Sequence, residues 1–125
     1  MTKLEMIALV ERSFAAVDAK DIDGTLACYT SHCSITVETA GVQVSGRDGE
    51  IRDMIEQLFE RFETMWHGEF HHVVDEEAGT IASQFLYRNL TPDGTRRADH
   101  NCNIAHVKGG RFSAISTYMT QNTLS

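Results

Sequence analysis

The chain has 125 residues and one composition throughout, the size of a single domain (1–125) that can bury a core without disulfides or metal. Hydrophobic residues make up 42% and charged residues 23%, proportions that exclude a disordered chain. Eighteen acids against eleven bases give a net charge of −7, with the excess in residues 1–64, where twelve acids face six bases. Such a surface repels phosphate backbones and anionic lipid, so neither nucleic acid nor membrane is expected as a partner.

No run approaches the roughly 18 apolar residues of a membrane span. Glu5, Glu11 and Arg12 interrupt any signal-peptide core. Cys28, Cys33 and Cys102 are odd in number and form no Cys-x-x-Cys, so they are expected as free thiols of a cytoplasmic protein.

The first segment reads as a helix. Met6, Ile7, Val10, Phe14 and Val17 form one apolar stripe, and Thr2 with Glu5 fits a capping box. Asp21 can cap a second, shorter helix with Ile22, Leu26 and Tyr29 inside. Cys33, Ile35 and Val37 then alternate with polar residues, and Ala40-Gly41 turns the chain into Val42-Gln43-Val44, a short hairpin. Ser45 and Asp48 offer caps for the longest helix, whose stripe is Ile51, Met54, Ile55, Leu58, Phe59 and Phe62, with Met65 and Trp66 as its possible extension. From about Trp66 onward the chain reads as strand: 70–75, then 80–90, a Thr91-Pro92-Asp93-Gly94 turn, 96–107, a Gly109-Gly110 turn, and a last strand 111–121. Helices first and strands after define an α+β protein, with helices on one face of a curved, mostly antiparallel sheet.

This order, with Ala19-Lys20-Asp21-Ile22-Asp23-Gly24 between the first helices, Tyr29 after them, and Gly109-Gly110-Arg111-Phe112 before a strand containing Tyr118-Met119, resembles the NTF2-like superfamily. Within it, the small SnoaL-like and ketosteroid-isomerase-like proteins are the nearest pattern, over about residues 4–120. The resemblance implies a cone-shaped α+β barrel of three N-terminal helices wrapped by the sheet, an internal pocket for small apolar molecules, and a homodimer through the outer sheet face. Fold alone does not carry activity.

Alternation assigns the faces. Ile81, Ser83, Phe85 and Tyr87 share the more apolar side of their strand and are placed inward; Ser113, Ile115, Thr117 and Met119 follow, leaving Phe112 and Tyr118 outside. On 96–107, pattern alone would bury Ala98, Cys102 and Ile104. The family rhythm instead turns Asp99, Asn101, Asn103, Ala105 and Val107 inward, and this reading is preferred. Phe14, Tyr29, Val37, Phe59, Phe62 and Trp66 complete the expected ligand wall. Asp99 is expected near the rim, beside Arg96 or Arg97.

By the resemblance, Asn103 stands where isomerase-like relatives hold a protonated acid, and its amide can donate to an oxyanion. Other family positions depart from the pattern. Val37 stands where the isomerases carry a general-base aspartate, and Glu38 faces the other way. Ser13 replaces a tyrosine, and Thr117 replaces the cyclases' acid. A base would therefore have to be a histidine. Of the adjacent pair His71 and His72, alternation sends one inward, taken as His71, with Asn103 and Tyr87 as donors.

No metal is expected: on a strand, His67 and His71 are about 13 Å apart. No cofactor is expected, since there is no Gly-rich phosphate loop, Gly-x-Ser-x-Gly or dinucleotide fingerprint. Two functions follow. One is a binding protein for a small, mostly apolar molecule. The other is a cofactor-free isomerase, hydratase or polyketide-cyclase-like enzyme acting on a small apolar carbonyl compound.

Overall fold

The computed structural model describes residues 1–120. Helix α1 (Lys3–Asp18) opens with the full capping box: Thr2 Oγ1 accepts from the Glu5 amide, and Glu5 accepts from the Thr2 amide. Its stripe buries Met6 and Leu9 completely, with Val10, Ser13 and Val17 beside them. Asp21 caps α2 (Ile22–Leu26) by accepting from the Gly24 amide. Strands β1 (Tyr29–Val37) and β2 (Val42–Ser45) form the hairpin, joined through Gly41 at φ 66°.

The long helix is shorter than its apolar stripe suggests. It begins as a π-helical turn (Gly46–Ile51), continues as α3 (Arg52–Arg61), and stops at Phe62, which is already extended. Ser45 makes no side-chain cap; its amide instead donates to Glu50. Ile51 and Ile55 are buried, while Met54, Leu58 and Phe59 are half-buried.

Strands β3 (Thr64–Asp75), β4 (Thr80–Leu90), β5 (Arg96–Lys108) and β6 (Arg111–Tyr118) follow as antiparallel neighbours. The sheet order is β2-β1-β6-β5-β4-β3, with β1 and β6 parallel. The expected last strand ends at Tyr118 rather than residue 121, and Gln121 lies outside the described residues. Among the described residues no helix is long and apolar enough to cross a membrane.

Two irregularities decide which side chains face the helices. Between Gly68, opposite Leu86, and His71, opposite Gln84, β3 carries one residue more than β4. Glu69 takes up this extra length at φ 53°. Between β5 and β6 a similar shift leaves Ser113 extra, so that Phe112 pairs with Val107 and Ala114 with His106. A bulge exchanges inward and outward positions beyond it. Phe112, expected outside, is therefore buried at 2% exposure against Tyr29. Ser113 is turned from the cavity, and its hydroxyl donates to the His106 carbonyl.

Candidate functional site

Helix α1 lies along β3 and carries two acids on the side that meets it. Glu11 and Asp18 are seven residues apart, two turns or about 10.5 Å along one helix face. His67 and His72 are five residues apart. On a regular strand that odd spacing would put them on opposite faces. The bulge at Gly68–Glu69 brings both under α1.

At one end, the Asp18 carboxylate grips His67 twice: Oδ2 accepts from the backbone amide at 2.8 Å, and Oδ1 meets ring Nδ1 at 2.6 Å. Asp18 is the last residue of α1, beside helix carbonyls that disfavour a negative charge. The two His67 donors offset that cost. The imidazole is sandwiched between Phe14, at 4.3 Å, and Tyr87, at 4.5 Å, nearly parallel to both. Its side chain is 8% exposed. A carboxylate only accepts, so Nδ1 carries the proton, and in the neutral ring Nε2 is an acceptor with no protein partner among the described residues.

Tyr87 lies opposite Asp99 on β5. Burial pushes the Tyr87 hydroxyl up to about 12; neighbouring Asn89 and Arg61 work against this rise, while Asp18 and Asp99 add to it. Asp99 is 2% exposed, with neither carboxylate oxygen in a hydrogen bond among the described residues. Burial raises its pKa, opposed only in part by Arg97. Expected near the rim beside Arg96 or Arg97, its side chain is covered where β5 pairs with Tyr87, and Arg97 is the charge that acts on it.

At the other end His72, 7% exposed, uses both ring nitrogens. Nδ1 is 2.7 Å from Ser83 Oγ and Nε2 is 3.1 Å from Glu11 Oε2. Phe70 stacks against the ring at 5.4 Å. Ser83, 1% exposed, lies directly opposite Asn103. The two residues share a cavity of about 40 Å³ under α1 with Ser13 and Tyr29, walled for the rest by apolar side chains such as Val10, Phe14, Ala105 and Ile115. Asn103 Oδ1 is buried there without a hydrogen bond among the described residues. The volume admits a water or two as it stands. Phe14 is the partition: one face lines the cavity, while the ring also stacks on His67.

The expected site residues fall into three groups. Phe14, Tyr29, Ser83, Asn103 and Ile115 line the cavity. Tyr87, Phe85, Phe62 and Asp99 form the neighbouring interior, with Asn101 buried and accepting from the Thr120 amide, while Phe59 and Thr117 are half-buried and Val37 is buried at the end of β1.

The remaining three are elsewhere. His71 is exposed on the outer face; the bulge gives its place to His72. Trp66 is 42% exposed with Arg88 over its ring, because the strand starts at Thr64 and alternation turns Met65 and His67 inward instead. Met119 borders an open groove of about 490 Å³ with His71, His100, Cys102 and Tyr118. Ser13 spends its hydroxyl on the Val10 carbonyl, 2.7 Å away. Sequence reasoning missed Asp18, His67 and Glu11, and held His72 only as the alternative to His71. The seven-residue spacing of the two acids on α1 was the available signal, but it points to histidines only once the bulge is known.

Six strands in one curved, mostly antiparallel sheet with the helices packed on it define the NTF2-like architecture. A model of the SnoaL-like domain matches residues 10–115, and the chain belongs to that family. Among solved structures it is similar to a candidate SnoaL-like polyketide cyclase from Shewanella denitrificans (TM-score 0.84, 13% identity, 98% of this chain and 95% of that one). It is also similar to a candidate isomerase from Bacillus subtilis (TM-score 0.84, 12% identity, 96% and 90%). PrhC from Penicillium brasilianum superposes at TM-score 0.81 with 20% identity over 95% and 82% of the two chains. At these identities the likeness is one of fold. No curated protein matches the sequence at a significant level.

Proposed function

We propose that the protein binds a small, mostly apolar molecule bearing one oxygen in the cavity between α1 and the sheet. The observation that carries this is Asn103: a buried amide oxygen without a hydrogen bond among the described residues, in a mostly apolar chamber that Ser13, Tyr29 and Ser83 also line. An unmet buried acceptor costs about 1–3 kcal/mol, which a ligand hydroxyl would recover. With the amide turned over, the same residue donates to a ligand carbonyl. Cyclopentanol and cyclopentanone are suitable probes. Saturable amide shifts at Ser83, Asn103 and Ile115 are expected in NMR titrations, weakened about tenfold in Asn103→Leu. Shifts confined to the outer face would contradict the reading.

The pair formed by Asp18 and His67 favours a second, catalytic reading. An imidazole oriented by a carboxylate, enclosed by rings and bare at Nε2 is built to take a proton. The reaction class is cofactor-independent isomerisation, hydration or cyclisation of a carbonyl compound, with Tyr87, stacked on the imidazole, as donor to the oxygen. The wild-type protein is expected to speed exchange of the cyclopentanone α-protons with D₂O. His67→Gln should lose about 100-fold of that rate. Equal rates in the two proteins would end the catalytic reading and leave the binding one.

A homodimer through the outer face belongs to the same proposal. Trp66, Val73 and Tyr118 are exposed there, with Cys102 and Ile104 between them. Sedimentation as a dimer at micromolar concentration is expected; a monomer would contradict it.

A further inference from the structure

The hydrogen-bond chain from Glu11 through His72 to Ser83 spans the wall of the molecule. It begins at a carboxylate 47% exposed to solvent and ends at a hydroxyl lining the cavity. In the neutral ring its directions follow from the partners. Glu11 can only accept, so His72 Nε2 carries the proton and Nδ1 presents its lone pair. Ser83 must then donate its own hydrogen to Nδ1, which leaves the oxygen lone pairs free. Opposite stands Asn103, with its unmet amide oxygen.

We infer that Ser83 is an acid–base group of the cavity, connected to solvent by His72 and Glu11. This rests on the cavity being the ligand site, and it is separate from the pair at His67. In the step assigned to it, Ser83 Oγ takes a proton from the bound molecule as its own hydrogen passes to His72 Nδ1. One O–H bond forms at Oγ and one breaks, an N–H bond forms at Nδ1, and the ligand keeps the electron pair. The positive imidazolium is then held against the Glu11 carboxylate. The reverse step returns a proton to the ligand, so no other co-reactant is needed. Phe14 separates this chamber from His67, so the relay alone lifts a proton from the bound molecule and returns it there. That suits proton exchange next to a carbonyl or a proton shift within one ligand. His72 and Glu11 are positioning residues; Ser83 alone of the three faces the ligand space.

The first test needs no ligand. Long-range ¹H–¹⁵N spectra of the neutral rings should show His72 protonated at Nε2, with Nδ1 displaced by a hydrogen bond. Ser83→Ala should move Nδ1 to the position of a free acceptor, and Ser83→Thr, which keeps the hydroxyl, should restore it. A proton on Nδ1, or a resonance indifferent to Ser83→Ala, overturns the relay.

The second test is cyclopentanone exchange, with binding measured separately. Ser83→Ala should slow exchange at least about tenfold without weakening binding, and Ser83→Thr should recover most of it. Ser83→Ala as fast as wild type overturns the relay, even if His67→Gln is slow. Ser83→Ala slow with His67→Gln at full rate supports the relay and removes His67 from the chemistry. Failure of both probes to bind ends the cavity reading and with it the role of Ser83 toward a ligand; the tautomer result then tests the hydrogen-bond chain by itself.

Discussion

The two ends of the interface between α1 and β3 use the same pair of residue types to different effect. Asp18 holds His67 through the backbone amide and Nδ1, closes rings over it on both sides, and leaves Nε2 bare. Glu11 holds His72 through Nε2 alone, from a half-exposed position, and the other nitrogen is committed to Ser83. One histidine ends a chain of bonds and the other is a link within one. The difference teaches that what a carboxylate–histidine pair can do depends on which ring nitrogen the acid takes and what the other nitrogen meets.

Both pairs depend on the β3 bulge, so removing it breaks the comparison most severely. Deleting Glu69 turns one histidine outward and strands its acid. We expect a loss of about 3–5 kcal/mol in urea unfolding, the cost of a pair deprived of one partner, together with loss of any catalysed exchange. Retention of wild-type stability would mean that the bulge does not set the register.

Asp18→Asn is the next largest. It removes a charged acceptor from two donors, at about 1.5–3 kcal/mol in the same measurement. Its amide can also donate to Nδ1, which moves the ring proton to Nε2 and silences the base. Exchange should fall with no change at His72.

Asp99→Asn sharpens the contrast within the His67 end. Burial raises the Asp99 pKa in the folded protein, so the native state disfavours the ionised form. The stability linked to its neutral form is complete below the unfolded value of about 3.9 and is lost as pH rises through the folded value. The variant should therefore match wild type at pH values below the unfolded value of about 3.9 and gain on it as pH rises toward 7. A constant difference across that range would contradict the assignment.

Glu11→Gln should be the mildest, about 0.2–1 kcal/mol, because its carboxylate is largely in water. A cost equal to that of Asp18→Asn would erase the distinction between the two ends.

Much of the fold was legible because local chemistry and tertiary structure agree. Thr2 with Glu5 and Asp21 with Gly24 cap the helices as the sequence indicates, and β1 and β2 pair as their alternation requires. The inward face of β5 was legible only through the family resemblance, since its polar residues are the buried ones: Asp99 and Asn101 lie inside while Ala98 is exposed. What failed were alternation arguments carried across irregularities. His71 and Phe112 were each placed one position out of phase, beyond a bulge that adds a single residue. The one local hint is Gly68, since an isolated glycine in a strand often marks a bulge, but nothing in Glu69 announces its left-handed backbone. Trp66 was lost for a simpler reason: the apolar stripe continued past the point where the helix stops. The site was harder still, since Asp18 and His67 are 49 residues apart and meet only through packing.

Both rings can be observed in one ligand-free spectrum of histidine-labelled protein. The geometry requires opposite neutral forms: His67 protonated on Nδ1, toward Asp18, and His72 protonated on Nε2, toward Glu11. The same form in both rings would show that the two acids do not orient them as described, and the account of both ends would fall together.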